Sequence, residues 1–163
     1  MPGLNEIEPA VAALRQGYAC AFVRNGRLYT SKATGIRPLL DWLAEDPHCF
    51  RGAFAADKIL GKAAALLLLR GGLGESAAEV YGEVLSDAAA GVLERHGIRY
   101  TCGRRVPRIL NRRGDGICPM ERRVWDIDDP ITAHAVLLDA VASMRAVSPE
   151  QPGSARKETE RET

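Results

Sequence analysis

Polar residues interrupt apolar segments at two places, and these are where chemistry is expected: Asp57-Lys58 after GAFAA, and Ser86-Asp87 after EVYGEVL. Asp57 has the type of a helix N-cap, its carboxylate accepting from free N–H groups of the first turn. Lys58 would then lie at the positive end of the helix dipole, at a cost of about 0.3–1 kcal/mol that a bound phosphate or carboxylate would relieve. The alternative is that Lys58 reaches into solvent or pairs with Asp57 or Glu83. Lys62, one turn on, either adds to the same anion pocket or covers the helix surface. Ser86 is expected to cap the second helix, with Asp87 following. If both junctions end adjacent parallel strands, they face one crevice, where open α/β sheets bind ligands.

A third candidate is the segment NRRGDGICPME. It places Cys118 after a Gly-rich turn, at the start of a helical turn and beside arginines, conditions that favour a thiolate nucleophile. Cysteine is equally a small buried hydrophobe, and no histidine has local spacing to act as its base. Glu121 is read either as a general base or as a surface ion pair with Arg122 or a neighbour; Asn111 and Arg112 are read as completing a phosphate site. Cys20, Cys49 and Cys102 are expected to be structural. His48, His96 and His134 are not expected to bind metal, His96 being explained by its position at a helix C-terminus.

The elements that must position these residues follow from periodicity. Helices are expected over Glu6–Gln16, over LLDWLAEDP, from Asp57 to the stop at Gly71-Gly72, over Ser86–His96 and over Ile131–Met144. Asn25-Gly26 between two apolar-rich segments predicts a tight hairpin. Gly52–Ala56, Glu79–Leu85 and Ile98–Val106 are expected strands, the first two parallel because a helical crossover joins them. Pro119–Val124 starts a further helical turn. Residues 1–145 are expected to form one domain, and 146–163, rich in charge, Pro and Gly, a disordered tail.

The 163 residues are 46% apolar and 26% charged, a globular composition. No apolar run is long enough for a membrane span, the first residues lack the pattern of a signal peptide, and the four cysteines are widely spaced, so a cytoplasmic protein with free thiols is expected. Net charge is +1, yet residues 95–123 hold nine arginines against Asp115 and Glu121. The arginines lack the interleaved aromatics of a nucleic-acid platform, and nucleic acid is not an expected partner. The 131–144 helix can present Ile131, Ala135, Leu138 and Ala142 on one face, either to a second subunit or to the protein's own core.

The order helix, β-hairpin, helix, strand, D-K, strand, S-D, strand resembles the cytidine-deaminase-like fold. That resemblance implies a three-layer α/β architecture, with a mixed sheet of about five strands, an N-terminal antiparallel hairpin and helices on both faces. The zinc enzymes of the fold carry (H/C)-x-E and P-C-x-x-C where this chain reads ADKILGK and LSDAAAG, without one His or Cys. No metal site and no cofactor are therefore expected. More narrowly, ADKILGKAAALLL, EVLSDAAAGVLERHGI and PRILNRRGDGICPMERRV look like a prokaryotic family of unknown function built on this scaffold without zinc. Three functions stay open: binding of a small anionic, nucleotide-like ligand by Asp57, Lys58, Ser86 and Asp87; metal-free catalysis with Lys58 or Cys118 as nucleophile and Asp57 as proton acceptor; or a non-enzymatic, homo-oligomeric interaction module.

Overall fold

A computed structural model describes residues 5–76 and 78–147. Eleven elements follow in order: α1 (Glu8–Arg15), β1 (Cys20–Arg24), β2 (Arg27–Ser31), α2 (Arg37–Glu45), β3 (Phe54–Leu60), α3 (Lys62–Arg70), β4 (Glu79–Ser86), α4 (Asp87–Arg95), β5 (Arg99–Val106), α5 (Pro119–Arg123) and α6 (Pro130–Val147). The turn between β1 and β2 is the expected hairpin: Asn25 and Gly26 both adopt positive φ, 53° and 74°, which matches the right-handed twist of the flanking strands. The five strands form one mixed sheet in the order β2-β1-β3-β4-β5, with β1 antiparallel to β2 and β3, and β3, β4 and β5 parallel. Residues 148–163 of the expected tail lie outside the described residues, and α6 extends past the expected boundary at 145.

Two unequal clusters pack the sheet. On one face α2, α3, α4 and α6 bury Phe22, Ala55, Val80 and Leu85 together with the leucines of α3. The aromatic centre is dense: Phe22 stacks on Tyr29 at 4.5 Å and meets Trp42 and Phe50 edge-on at 4.8 and 5.0 Å. On the opposite face α1 alone packs among the described residues, setting Val11 and Leu14 against Ala21 and Ala56. Helices thus lie on both faces, as expected, but among the described residues no helix covers β4 and β5 beyond α1.

One boundary departs from the sequence reading in a way that moves the site. The strand expected over Gly52–Ala56 runs on to Leu60, because the parallel ladder continues through Asp57↔Gly82 and Ile59↔Val84 to Leu60↔Leu85. Asp57 is therefore not an N-cap, and Lys58 is not in a first helical turn; both lie inside β3. Helix α3 starts at Lys62, with Gly61 in extended conformation as its N-cap residue. A polar Asp-Lys pair looks like the end of a strand, but cross-strand hydrogen bonds on both sides of β3 hold it in the sheet.

Candidate functional site

The start of α3 is the most tightly built polar centre. Gly61 offers no side-chain cap, and the free N–H groups of Lys62 and Ala63 donate to Oε1 and Oε2 of Glu121, at 2.7 and 2.8 Å. Glu121 is 3% exposed. Burial raises its pKa, opposed by the two backbone donors and by the charge of Lys62. Lys62, itself 6% exposed, turns its ammonium away to the carbonyl of Trp125 at 2.8 Å and to Asp128 at 3.1 Å, where Arg95 also pairs. Glu121 is thus not a surface ion pair with Arg122, and Lys62 is neither a surface cover nor a free anion ligand. The protein's own carboxylate occupies the anion position at this helix N-terminus. Contact is close enough to require glycine at 61: a Cβ there would stand 2.6 Å from the Glu121 carboxylate. Gly61→Ala is expected to lower stability by about 1–3 kcal/mol, read from the urea midpoint at unchanged slope.

Asp57 lies at the centre of the sheet between Cys20 and Gly82. Its Oδ1 accepts from the N–H of Ile59 at 3.2 Å, and burial pushes its pKa up to about 8 against the pull of backbone donors from Ile59 and Lys58. Asp57 and Cys20 border a narrow apolar slot of about 10 Å³ with Phe22, Trp42 and Phe50, room for a single water. Burial and the neighbouring Asp57 raise the Cys20 thiol, and burial pushes Cys49 up to about 12, so both remain neutral thiols.

The second junction is as expected locally. Ser86, fully buried, caps α4 by accepting from the N–H of Ala89 at 3.0 Å, and Asp87 is held by Arg105 at 2.7 Å. Asn111 tightens its turn, accepting from Gly114 N at 2.7 Å and donating to Asp115 at 2.9 Å; Arg112 is exposed. Cys118 is the half-buried residue preceding Pro119 in α5, and its own N–H donates to Ile109. The structure therefore brings Lys62 and Glu121 together, and it places Asp57 and Lys58 inside β3 and Ser86 and Asp87 at the junction of β4 with α4. Among the described residues no group of three or more His, Cys, Asp or Glu side chains is placed to hold a metal ion. No helix among them is long and apolar enough to cross a membrane.

A wider concavity than the slot beside Asp57 lies elsewhere, on the part of the sheet face that α1 does not cover. A groove of about 470 Å³ runs between α1 and β4–β5, with Val11, Leu14 and Val84 as apolar wall and Arg15, Arg104 and Glu83 as polar groups. Tyr81 lies against its floor at Gly103, where a Cβ would come within 3.1 Å of the phenol oxygen and 2.9 Å of the Glu83 carbonyl. Arg15 is exposed and holds Glu8 only loosely, at 3.4 Å. Arg104 has no carboxylate partner among the described residues. Only Glu83 of this set is a sequence-stated candidate. Arg15 and Arg104 stand 89 positions apart, and the only local hint is Gly103 inside a strand, which signals close approach of another group.

A family model, TM1506, domain of unknown function (DUF1893), matches residues 11–141. Among solved structures, the crystal structure of a DUF1893 family protein (TM1506) from Thermotoga maritima is similar, with a TM-score of 0.71 and 22% identity. The match covers 83% of this chain and 90% of that one. At that identity the likeness speaks for the fold alone. No curated protein matches.

Proposed function

We propose a function from the site itself, because the chain belongs to the DUF1893 family, a domain of unknown function that supplies no activity. The reading is a zinc-independent protein on a cytidine-deaminase-like scaffold that binds a small anionic, nucleotide-like ligand. The element order of helix, hairpin, helix and three parallel strands joined by helices supports the scaffold assignment. The observation that carries the ligand is the groove between α1 and β4–β5. Its volume is within the range of roughly 300–1,000 Å³ that small-molecule sites occupy. Arg104 and Arg15 supply guanidinium groups for a phosphate or carboxylate, while Tyr81 and the Val11, Leu14 and Val84 wall suit a flat, weakly polar ring. Glu83 is an acceptor for an exocyclic amine or a sugar hydroxyl.

This places the ligand away from the start of α3, where Glu121 already fills the anion position. Titration calorimetry with nucleoside monophosphates, the parent nucleosides and inorganic phosphate tests it. Binding of a monophosphate is expected to weaken about tenfold or more in Arg104→Ala, the loss of one charge-assisted contact. Absence of binding across the panel, or binding indifferent to Arg104→Ala and Arg15→Ala, overturns the reading.

Metal-free catalysis is a second reading, and one observation favours it: Asp57 is a carboxyl group whose pKa burial pushes up to about 8, and it borders a narrow slot. Such a group donates as a general acid. Neither Lys58 nor Cys118 has a hydrogen-bonded base beside it among the described residues, so the nucleophile of that reading has no activating partner in view.

A further inference from the structure

The groove between α1 and β4–β5 owes its polar lining to a break in the pleat. Successive residues of a strand point to opposite faces, yet Glu83 with Val84, and Gly103 with Arg104, all line this one groove. On β4 the flanking residues face the helical core: a Cβ on Gly82 would meet Leu60, and Leu85 is fully buried there. On β5 Cys102 packs against the same core, and Arg105 reaches Asp87 at the start of α4. The ladder keeps its offset across the break, joining Gly82 to Cys102 and Val84 to Arg104, and skips only Glu83 and Gly103. With unbroken alternation, Arg104 would share a face with Tyr100 and Cys102 and point toward α4. An interruption of this kind re-aims a side chain, and here it turns a guanidinium into the groove.

Tyr81 reaches the same point from β4. It is paired with Thr101, so Gly103 is its diagonal neighbour on β5, within reach of an aromatic side chain. The phenol oxygen stands 3.1 Å from where a Cβ of Gly103 would be, over the residue that immediately precedes Arg104. No described residue hydrogen-bonds this hydroxyl. Among the described residues every buried side-chain polar atom except Nε of Arg70 is bonded, so an unbonded hydroxyl here faces the open groove. Arg104 and Glu83 carry opposite charges on the same groove and do not pair. A phenol O–H, a guanidinium and a carboxylate thus line one opening without satisfying one another, which is the arrangement of groups that a ligand completes.

We infer that Tyr81 is the specificity-determining residue of this groove: its hydroxyl donates to the phosphate oxygens that Arg104 holds, and the site takes a phosphomonoester in preference to a di- or triphosphate. The inference rests on the anionic-ligand reading above and narrows it. A phosphomonoester carries about −1.5 to −2 charges at neutral pH. Arg15 and Arg104 set against Glu83 suit such a group. Each further phosphate adds negative charge in a groove that holds Glu83 and, among the described residues, no third cation.

Titration calorimetry on the full chain, with the 5′-monophosphates of the common ribonucleosides, their triphosphates and the parent nucleosides, is the test. Tyr81→Phe keeps the ring and its packing and removes only the hydroxyl, so its melting temperature is expected to match that of the native chain. Its affinity for a monophosphate is expected to fall about tenfold, the loss of one hydrogen bond to a charged group. The nucleoside, which lacks the phosphate, is expected to behave alike with both proteins, and the native chain to bind monophosphate more tightly than triphosphate. Monophosphate binding that weakens in Arg104→Ala but not in Tyr81→Phe, or a triphosphate bound as tightly as the monophosphate, would overturn this inference and leave the anionic-ligand reading standing. Absence of binding by the native chain across the panel would overturn both.

Discussion

Glu121→Ala is expected to destabilise the protein by about 3–5 kcal/mol, the cost of removing one member from a buried, hydrogen-bonded charged group. The substitution leaves the N–H groups of Lys62 and Ala63 buried without acceptors, and it opens a void against Gly61. It also cuts the tie between α5 and the start of α3, although Lys62 keeps Trp125 and Asp128. Glu121→Gln keeps the volume and one acceptor and is expected to recover about half of the loss. Chemical denaturation of the three proteins measures this. Equal stability of Glu121→Ala and the parent would mean that water replaces the carboxylate without penalty. The titration of Glu121 has the opposite sign from that of a stabilising surface carboxylate. Its folded pKa is raised by burial, so its pH-linked contribution is fully present below the unfolded pKa and fades as pH rises through the folded one. The residue is costly to ionise in place and costlier to remove.

Asp57→Asn is expected to do the reverse, raising stability at pH 7 by about 2–4 kcal/mol. The ordinary aspartate value is 3.8 and burial in the folded protein pushes it up to about 8. The folded state therefore keeps a proton that the unfolded chain gives up. Stability linked to this group is complete below about pH 4, declines across the interval and is gone once pH passes through 8. Asparagine keeps an oxygen for the Ile59 N–H and has no proton to lose, so the slope between pH 4 and 8 should flatten in the variant. Unfolding free energies at half-unit pH steps for both proteins decide the matter. Parallel curves would show that Asp57 ionises in place, and with that the case for a general acid at this position would fall. A stabilised variant would instead mark Asp57 as a residue retained against stability, as residues serving function often are.

The two effects bear on carboxylates whose roles a reading along the chain assigned differently. Glu121 proves to be a cap for a helix that begins 59 positions earlier, and Asp57 a strand residue facing the core rather than a cap. Local chemistry could not distinguish these. A carboxylate three residues after Cys118 resembles any exposed first-turn acid, and its partners become visible only when α5 is folded against α3. Ser86, by contrast, caps the N–H of a residue three positions on, so sequence and structure agree on it.

The sequence by itself determined what short-range physics controls: the Asn25-Gly26 hairpin, the order of helices and strands, the parallel pairing of β3 with β4 through its helical crossover, the Ser86 cap and the apolar stripe on α6. Each depends on residues within a few turns of one another or on a connection length. Tertiary structure alone decided where α3 begins, which anion its N-terminus holds, how far burial moves Asp57, and that Arg15 and Arg104 share an open groove with Tyr81. Those depend on desolvation and on contacts between residues tens of positions apart. Such contacts are set by how the sheet is covered, and the covering is not written in any one segment.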